Sequence, residues 1–249
     1  MKIGIVGFGH LGKALAKGLV KSGVVEEREI YVLAKSQRTK DIALKQYAAT
    51  VVEDINEMLE QVEIIFWVIK GSQLPEVYSR LDRKMNDIVH ISFMAGVTIE
   101  MIKNCLGNAT ILRAMPNIAI ENADGIIGYT KTDSKMVVDI LNKLGYAFEI
   151  EEKDIEKVTA FSACGLGFAA YILNAFQKTG MELGFSEEIS EHIVAKTFSN
   201  AITMSNYEVT ADSVATKGGA TEQGILCFED NNLNEIIKKA IYKAYDKVQ

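Results

Sequence analysis

Three glycines near the start of the chain have the spacing of a phosphate cradle. In Gly7-Phe8-Gly9-His10-Leu11-Gly12, Gly7 permits a tight turn, Gly9 leaves the backbone open to a ligand, and Gly12 lets a helix lie close against a strand. Free N–H groups at the head of that helix, with the positive end of its dipole, suit a pyrophosphate. The chemistry is dinucleotide binding, with Gly7, Gly9, His10, Leu11 and Gly12 as contact residues. The motif is informative only between a strand and a helix. Ile3, Ile5 and Val6 supply the strand, and an amphipathic stretch carrying Leu15 and Leu19 supplies the helix.

An NAD site places a carboxylate at the end of the second strand, on the ribose 2′-hydroxyl. Here that end reads Ala34-Lys35-Ser36-Gln37-Arg38, and the next carboxylate is Asp41. Lys35, Ser36 and Arg38 suit a 2′-phosphate through charge-assisted hydrogen bonds. NADP is therefore expected ahead of NAD, against the plainer reading of a solvated turn. A second set of segments closes later strands: Trp67-Val68-Ile69-Lys70, Ser92-Phe93-Met94-Ala95-Gly96-Val97 and Arg113-Ala114-Met115-Pro116-Asn117. Ligands of open α/β sheets bind at such carboxyl ends. Further on, Thr216-Lys217-Gly218-Gly219-Ala220-Thr221 precedes a helix, a backbone nest able to hold a carboxylate.

These residues need a frame. Residues 29–34 and 50–52 read as strands, with helices near 40–47 and 54–61. Residues 62–69 are the most continuous apolar run of this half, as expected of a central strand buried on both faces. Residues 87–94 and 109–115 give a fifth and a sixth strand. Residues 125–129 and 146–150 are expected as edge strands around a helix near 134–144. The expected fold is α/β, a Rossmann-like, doubly wound parallel sheet. From Asp154 onward the pattern is all helical, including a helix capped by Ser186 and a last helix with apolar residues from Leu233 to Val248 at helical spacing. The expected division is 1–152, dinucleotide-binding, and 153–249, helical.

Residues 158–177 contain no charged side chain and would nearly cross a bilayer. Thr159, Ser162, Gly165, Gly167, Asn174 and Gln177 interrupt the run, so the expectation is a helix buried in a protein interface, not a membrane span. The net charge of −6 offers no footprint for nucleic acid or an anionic membrane. Cys105, Cys164 and Cys227 are few, odd in number and scattered. They argue against a disulfide framework or a metal site and for a reducing, cytoplasmic compartment. With the first strand beginning almost at once, no leader peptide is expected.

Taken together, the glycine turn, Val68-Ile69-Lys70, the segments 92–97 and 113–117, Phe161-Ser162-Ala163-Cys164-Gly165 and Lys217-Gly218-Gly219-Ala220-Thr221 resemble, in order, the pyrroline-5-carboxylate reductase family. The resemblance covers nearly the whole chain. It implies NAD(P)H-dependent reduction of the cyclic imine pyrroline-5-carboxylate to proline, and a helical C-terminal dimerisation domain. It implies that the Thr221 hydroxyl hydrogen-bonds the imine nitrogen; the plainer alternative is a helix cap. Gly218 and Gly219 would bind the substrate carboxylate, with Thr216, Asn117, Ser162 and Gly165 also on the substrate side. Lys70, Ala95 and Pro116 would lie by the cofactor. Three segments depart from the family pattern: Ser162 to Phe168 for SGSGPAY, Thr216 to Thr221 for SPGG[TA]T, and Ile69-Lys70-Gly71 for VKP. The lost prolines and Cys164 in place of a serine bear on the substrate-side loops and leave the cofactor half nearly untouched, which keeps two alternatives open: reduction of another small imine or carbonyl, or a weakly catalytic NADP-binding homologue with a regulatory role. The β-hydroxyacid dehydrogenases use a lysine on the long helix, and residues 158–177 hold none.

Overall fold

Strand β1 (Ile3–Val6) is wholly buried, flanked in parallel by β2 (Ile30–Leu33) and β4 (Ile64–Trp67). With β3 (Thr50–Val52), β5 (Val89–Ser92), β6 (Thr110–Pro116), β7 (Gly125–Tyr129) and β8 (Gly145–Glu149), the sheet order is β3-β2-β1-β4-β5-β6-β7-β8. The computed structural model describes residues 1–81, 88–107, 109–204 and 206–249. Residue 87, where the sequence reading starts the fifth strand, lies outside them.

Successive side chains of a strand point to opposite faces, and here each face has its own core. Ile64 and Phe66 of β4 join Ile3 and Ile5 on one side, while Ile65 and Trp67 join Val6, Met58 and Ile102 on the other. Two-sided burial explains the unbroken apolar run of β4. One expectation needs correction. Strand β7 is not an edge; it lies between β6 and β8 and runs antiparallel to β6. The link between β6 and β7 is essentially one 3₁₀ turn, Ile118–Asn122, well short of the roughly dozen residues a parallel crossover needs.

The sheet is covered by α1 (His10–Lys21), α2 (Gln37–Tyr47), α3 (Ile55–Leu59), α4 (Leu74–Tyr78), α5 (Ile99–Leu106) and α6 (Lys135–Lys143). Helix α2 begins earlier than the sequence reading placed it, because Ser36 caps it by accepting from the Thr39 N–H at 3.2 Å. The first compact unit comprises Met1–Ala163 with Tyr245–Gln249, and the second Cys164–Ala244. Helix α7 (Ile155–Val158) and a π-helical turn, Thr159–Ala163, belong to the first, where Ile155 and Val158 pack on Met115.

Helix α8 (Cys164–Glu182) opens the second unit, followed by α9 (Glu187–Ile202), α10 (Tyr207–Val214), α11 (Ala220–Asp230) and α12 (Leu233–Val248), whose last turn lies in the first unit. Ser186 caps α9 as expected, accepting from the Ile189 N–H. Within Cys164–Ala244, Ser190 is the one buried residue among those described, set against Gly180. Tyr171 and Phe176 of α8 stand exposed. The helical run Glu152–Glu182 is long and apolar enough to cross a membrane by length and composition. In the single chain its α8 part, Cys164–Glu182, has no buried residue.

Candidate active site

The three glycines have three different surroundings. Gly7 leaves β1 with φ +97°, and a methyl group there would sit 2.6 Å from the Val68 carbonyl oxygen. At Gly12 it would meet the Gly7 carbonyl oxygen at 2.3 Å. At Gly9 it would meet nothing within 4 Å. Gly9 is also the N-cap of α1, with no side-chain bond to the cap and no acidic residue in the first turn. The head of α1 is thus an open, unsatisfied donor set with a positive dipole behind it.

Gly7 and Gly9 form one wall of a cleft of about 600 Å³ whose other walls include Lys35, Ser36 and Lys70. Five residues read as one site therefore share a cavity. Arg38 is not among them; it stands beside Asp41, Ile42 and Lys45, away from the cleft. The early start of α2 is the reason. With Ser36 as cap, positions 36, 39 and 40 share a face, and Thr39 and Lys40 line the cleft instead. The signal was the serine cap, three residues before Thr39. His10 heads α1 as an exposed side chain, with Leu11 half-buried behind it, and neither lines the cleft.

Two of the cleft lysines are already partnered. Lys35 Nζ lies 3.0 Å from Glu76 of α4, and Lys40 pairs with Glu53. The Lys35 hydrogen bond and charge hold the Glu76 carboxyl below its ordinary range. Sequence reading missed Glu76 because α4 is distant in the chain; only the sheet order brings the two together.

On the cleft wall, Lys70 ends the β4 segment, its N–H donating to Gln73 Oε1 at 3.1 Å. Gly71 follows, where a methyl group would meet Val97 Cγ2 at 2.3 Å. The glycine replacing the family's proline is thus a close-packing residue. Ala95 follows β5, exposed, and Pro116 ends β6. Asn117 is largely committed to the fold. Its Oδ1 accepts from the Ala119 and Ile126 N–H groups at 3.2 and 3.3 Å, and its Nδ2 donates to Ser162 Oγ at 3.3 Å. The structure thereby joins two residues that sequence reading selected separately. His90, taken from the sequence as a core residue, is buried and accepts from Trp67 Nε1.

In the second unit, Thr216, Gly218, Gly219 and Thr221 gather in one turn. Gly218 has φ +76°, and its N–H donates to Glu222 Oε2 at 2.7 Å. The Gly219 N–H donates to the Thr216 carbonyl at 2.8 Å, so the Gly218 amide is the one already holding a carboxylate. The cap of α11 is Gly219, not Thr221. Thr221 is the second residue of the helix and is exposed, which removes the plain capping alternative. Gly165 sits on α8, where an added methyl would meet nothing within 4 Å. Among the described residues no cluster of His, Cys, Asp or Glu is arranged to hold a metal.

Comparison with known proteins covers both units. The family model described as pyrroline-5-carboxylate reductase dimerisation matches residues 152–249, and one described as NADP oxidoreductase, coenzyme F420-dependent, matches 2–96. Pyrroline-5-carboxylate reductase 2 of Bacillus subtilis is 26% identical, over 95% of this chain and 90% of its own length. The solved 1-pyrroline-5-carboxylate reductase of Streptococcus pyogenes superposes with a TM-score of 0.89 at 26% identity, over 100% of this chain and 98% of the other. The Plasmodium falciparum pyrroline carboxylate reductase with NADP bound gives 0.87 at 24%, over 100% and 97%, a likeness of fold.

Proposed function

This chain belongs to the pyrroline-5-carboxylate reductase family, and on that premise we propose that it reduces 1-pyrroline-5-carboxylate to L-proline with NADPH. The single observation behind the substrate side is the Gly218 N–H, which holds a carboxylate oxygen at 2.7 Å three residues before the exposed Thr221 hydroxyl. A substrate carboxylate fits where the Glu222 carboxylate now sits. Thr221 then hydrogen-bonds the imine nitrogen. Asn117 and Ser162, bonded to each other in the first unit, are kept on the substrate side by family position. Thr216 and Gly219 shape the turn, since a methyl group at Gly219 would meet Thr216 Oγ1 at 2.5 Å. Gly165 is kept on the substrate side by family position.

NADP fits the first unit. Gly7 and Gly12 are filled by backbone and Gly9 is open, which is the cradle a pyrophosphate needs. Lys35, Ser36 and Lys40 would meet a 2′-phosphate, while Arg38 would contribute only long-range charge. His10, Leu11 and Gly12 would offer first-turn backbone, and Lys70, Ala95 and Pro116 would lie toward the nicotinamide. When bound, the reduced nicotinamide supplies the hydride that the imine carbon accepts. The protein's share is orientation, a held carboxylate and a donor at nitrogen.

The exposed apolar residues of α8 are covered in a homo-oligomer, for which we take a dimer of two copies. The functional division falls near residue 152, and three unpaired cysteines suit a cytoplasmic enzyme. The test is NADPH oxidation with pyrroline-5-carboxylate. Thr221→Ala should lower kcat about a hundredfold with the KM for NADPH unchanged, and Thr221→Ser should restore most of it. Tight NADPH binding by the wild type without turnover would overturn the reading.

A further inference from the structure

Arg113 and Glu156 are charged side chains buried deep in the first unit, 2% and 8% exposed. Arg113 Nη2 donates to Glu156 Oε1 at 2.5 Å and to the Met94 carbonyl at 3.3 Å, and Nη1 lies 3.6 Å from Glu152 Oε1. Its Nε has no partner. A buried ion pair with an unsatisfied donor gives no stability advantage over apolar residues of similar size. What it does instead is fix geometry. The same Glu156 Oε1 accepts the Gly96 N–H at 2.9 Å, Oε2 accepts the Thr159 hydroxyl at 3.1 Å, and Glu152 Oε1 accepts the Ile99 N–H at 2.6 Å. This acidic pair thus pins the middle of the loop between β5 and α5, at Gly96, and the start of α5, at Ile99.

The consequence follows from the planar trans peptide. With the Gly96 N–H drawn to Glu156, the Ala95 carbonyl must point the other way. It does: the Ala95 oxygen comes within 4.0 Å of the position a methyl group would take on Gly71, in the turn after β4. An acceptor is thereby held at the carboxyl ends of β4 and β5.

We propose that Arg113 and Glu156 are positioning residues for the nicotinamide end of the cofactor, aiming the Ala95 carbonyl at the carboxamide N–H of the ring. This rests on the NADPH reading above. Neither residue touches the ligand; they act through the Ala95–Gly96 peptide.

The experiment compares NADPH with adenosine 2′,5′-bisphosphate, a fragment without nicotinamide, on the full-length protein. The double variant Arg113→Met with Glu156→Leu replaces the pair by apolar side chains and should keep the wild-type urea midpoint. Its dissociation constant for the fragment should be unchanged. Its dissociation constant for NADPH should rise about tenfold, with loss of the nicotinamide fluorescence enhancement. Glu156→Gln, which keeps an acceptor for Gly96, should recover most of both. If the double variant does not fold, Glu156→Asp, which keeps the charge but shortens the reach to Gly96, should show the same NADPH-only defect. A folded variant that binds NADPH with wild-type affinity and emission would overturn the proposal. So would equal weakening of NADPH and the fragment. Neither arm uses turnover, so a wild type that binds NADPH but reduces no pyrroline-5-carboxylate would sink the substrate reading alone.

Discussion

Two helices of this chain begin on a glycine with no capping side chain, one in each unit. Helix α1 starts after Gly9 and has no acidic residue in its first turn. Helix α11 starts after Gly219 and has Glu222 in its first turn, bonded back to the Gly218 N–H. The first helix head is packed from behind by backbone and open in front. The second supplies its own anion. An unsatisfied helix head has a ligand-sized need, whereas a self-satisfied one sets up a competition. The contrast extends to the units, since α1 buries Leu15 and Leu19 in a core and α11 buries nothing in the single chain.

The largest expected effect breaks the first helix head. Gly12→Ala drives a methyl group onto the Gly7 carbonyl and should destabilise the protein by about 1–3 kcal/mol in urea unfolding. Gly9→Ala has open space. It should leave stability within about 0.5 kcal/mol while weakening NADPH binding about tenfold, the worth of one charge-assisted hydrogen bond. Equal stability loss in both would refute the separate tasks of the two glycines.

Next in size is the exposed face of α8. Tyr171→Lys with Phe176→Lys places charge where the proposed second copy packs, and should shift sedimentation from dimer to monomer at micromolar concentration. A dimer that survives both would move the interface elsewhere.

The cofactor cleft separates two cations that look equivalent in sequence. Lys35→Ala should raise the KM for NADPH about tenfold and leave NADH nearly unchanged, while Arg38→Ala should change either less than about twofold. Smallest is Glu222→Ala, which frees the Gly218 amide. The KM for pyrroline-5-carboxylate should fall by about threefold, as expected for removing an exposed competing carboxylate. An unchanged KM would mean that the substrate carboxylate binds elsewhere.

What was legible in the sequence was whatever short-range pattern dictates. The apolar runs marked β1, β4 and β6, Ser186 marked the start of α9, and the glycine spacing marked the cradle, because strand burial, capping and turn sterics act within a few residues. Family resemblance carried the substrate-side residues, which no local pattern explains. Tertiary structure decided the rest. Arg38 turned out of the cleft because Ser36, not a later residue, caps α2. Glu76 reached Lys35, Asn117 bonded Ser162, and Arg113 found Glu156 only through the strand order and the return of α7 onto β6. Side chains 41, 45 and 43 positions apart in the chain meet when buried strands fix where each loop ends, and that geometry is set by packing of the whole sheet, not by any segment read alone.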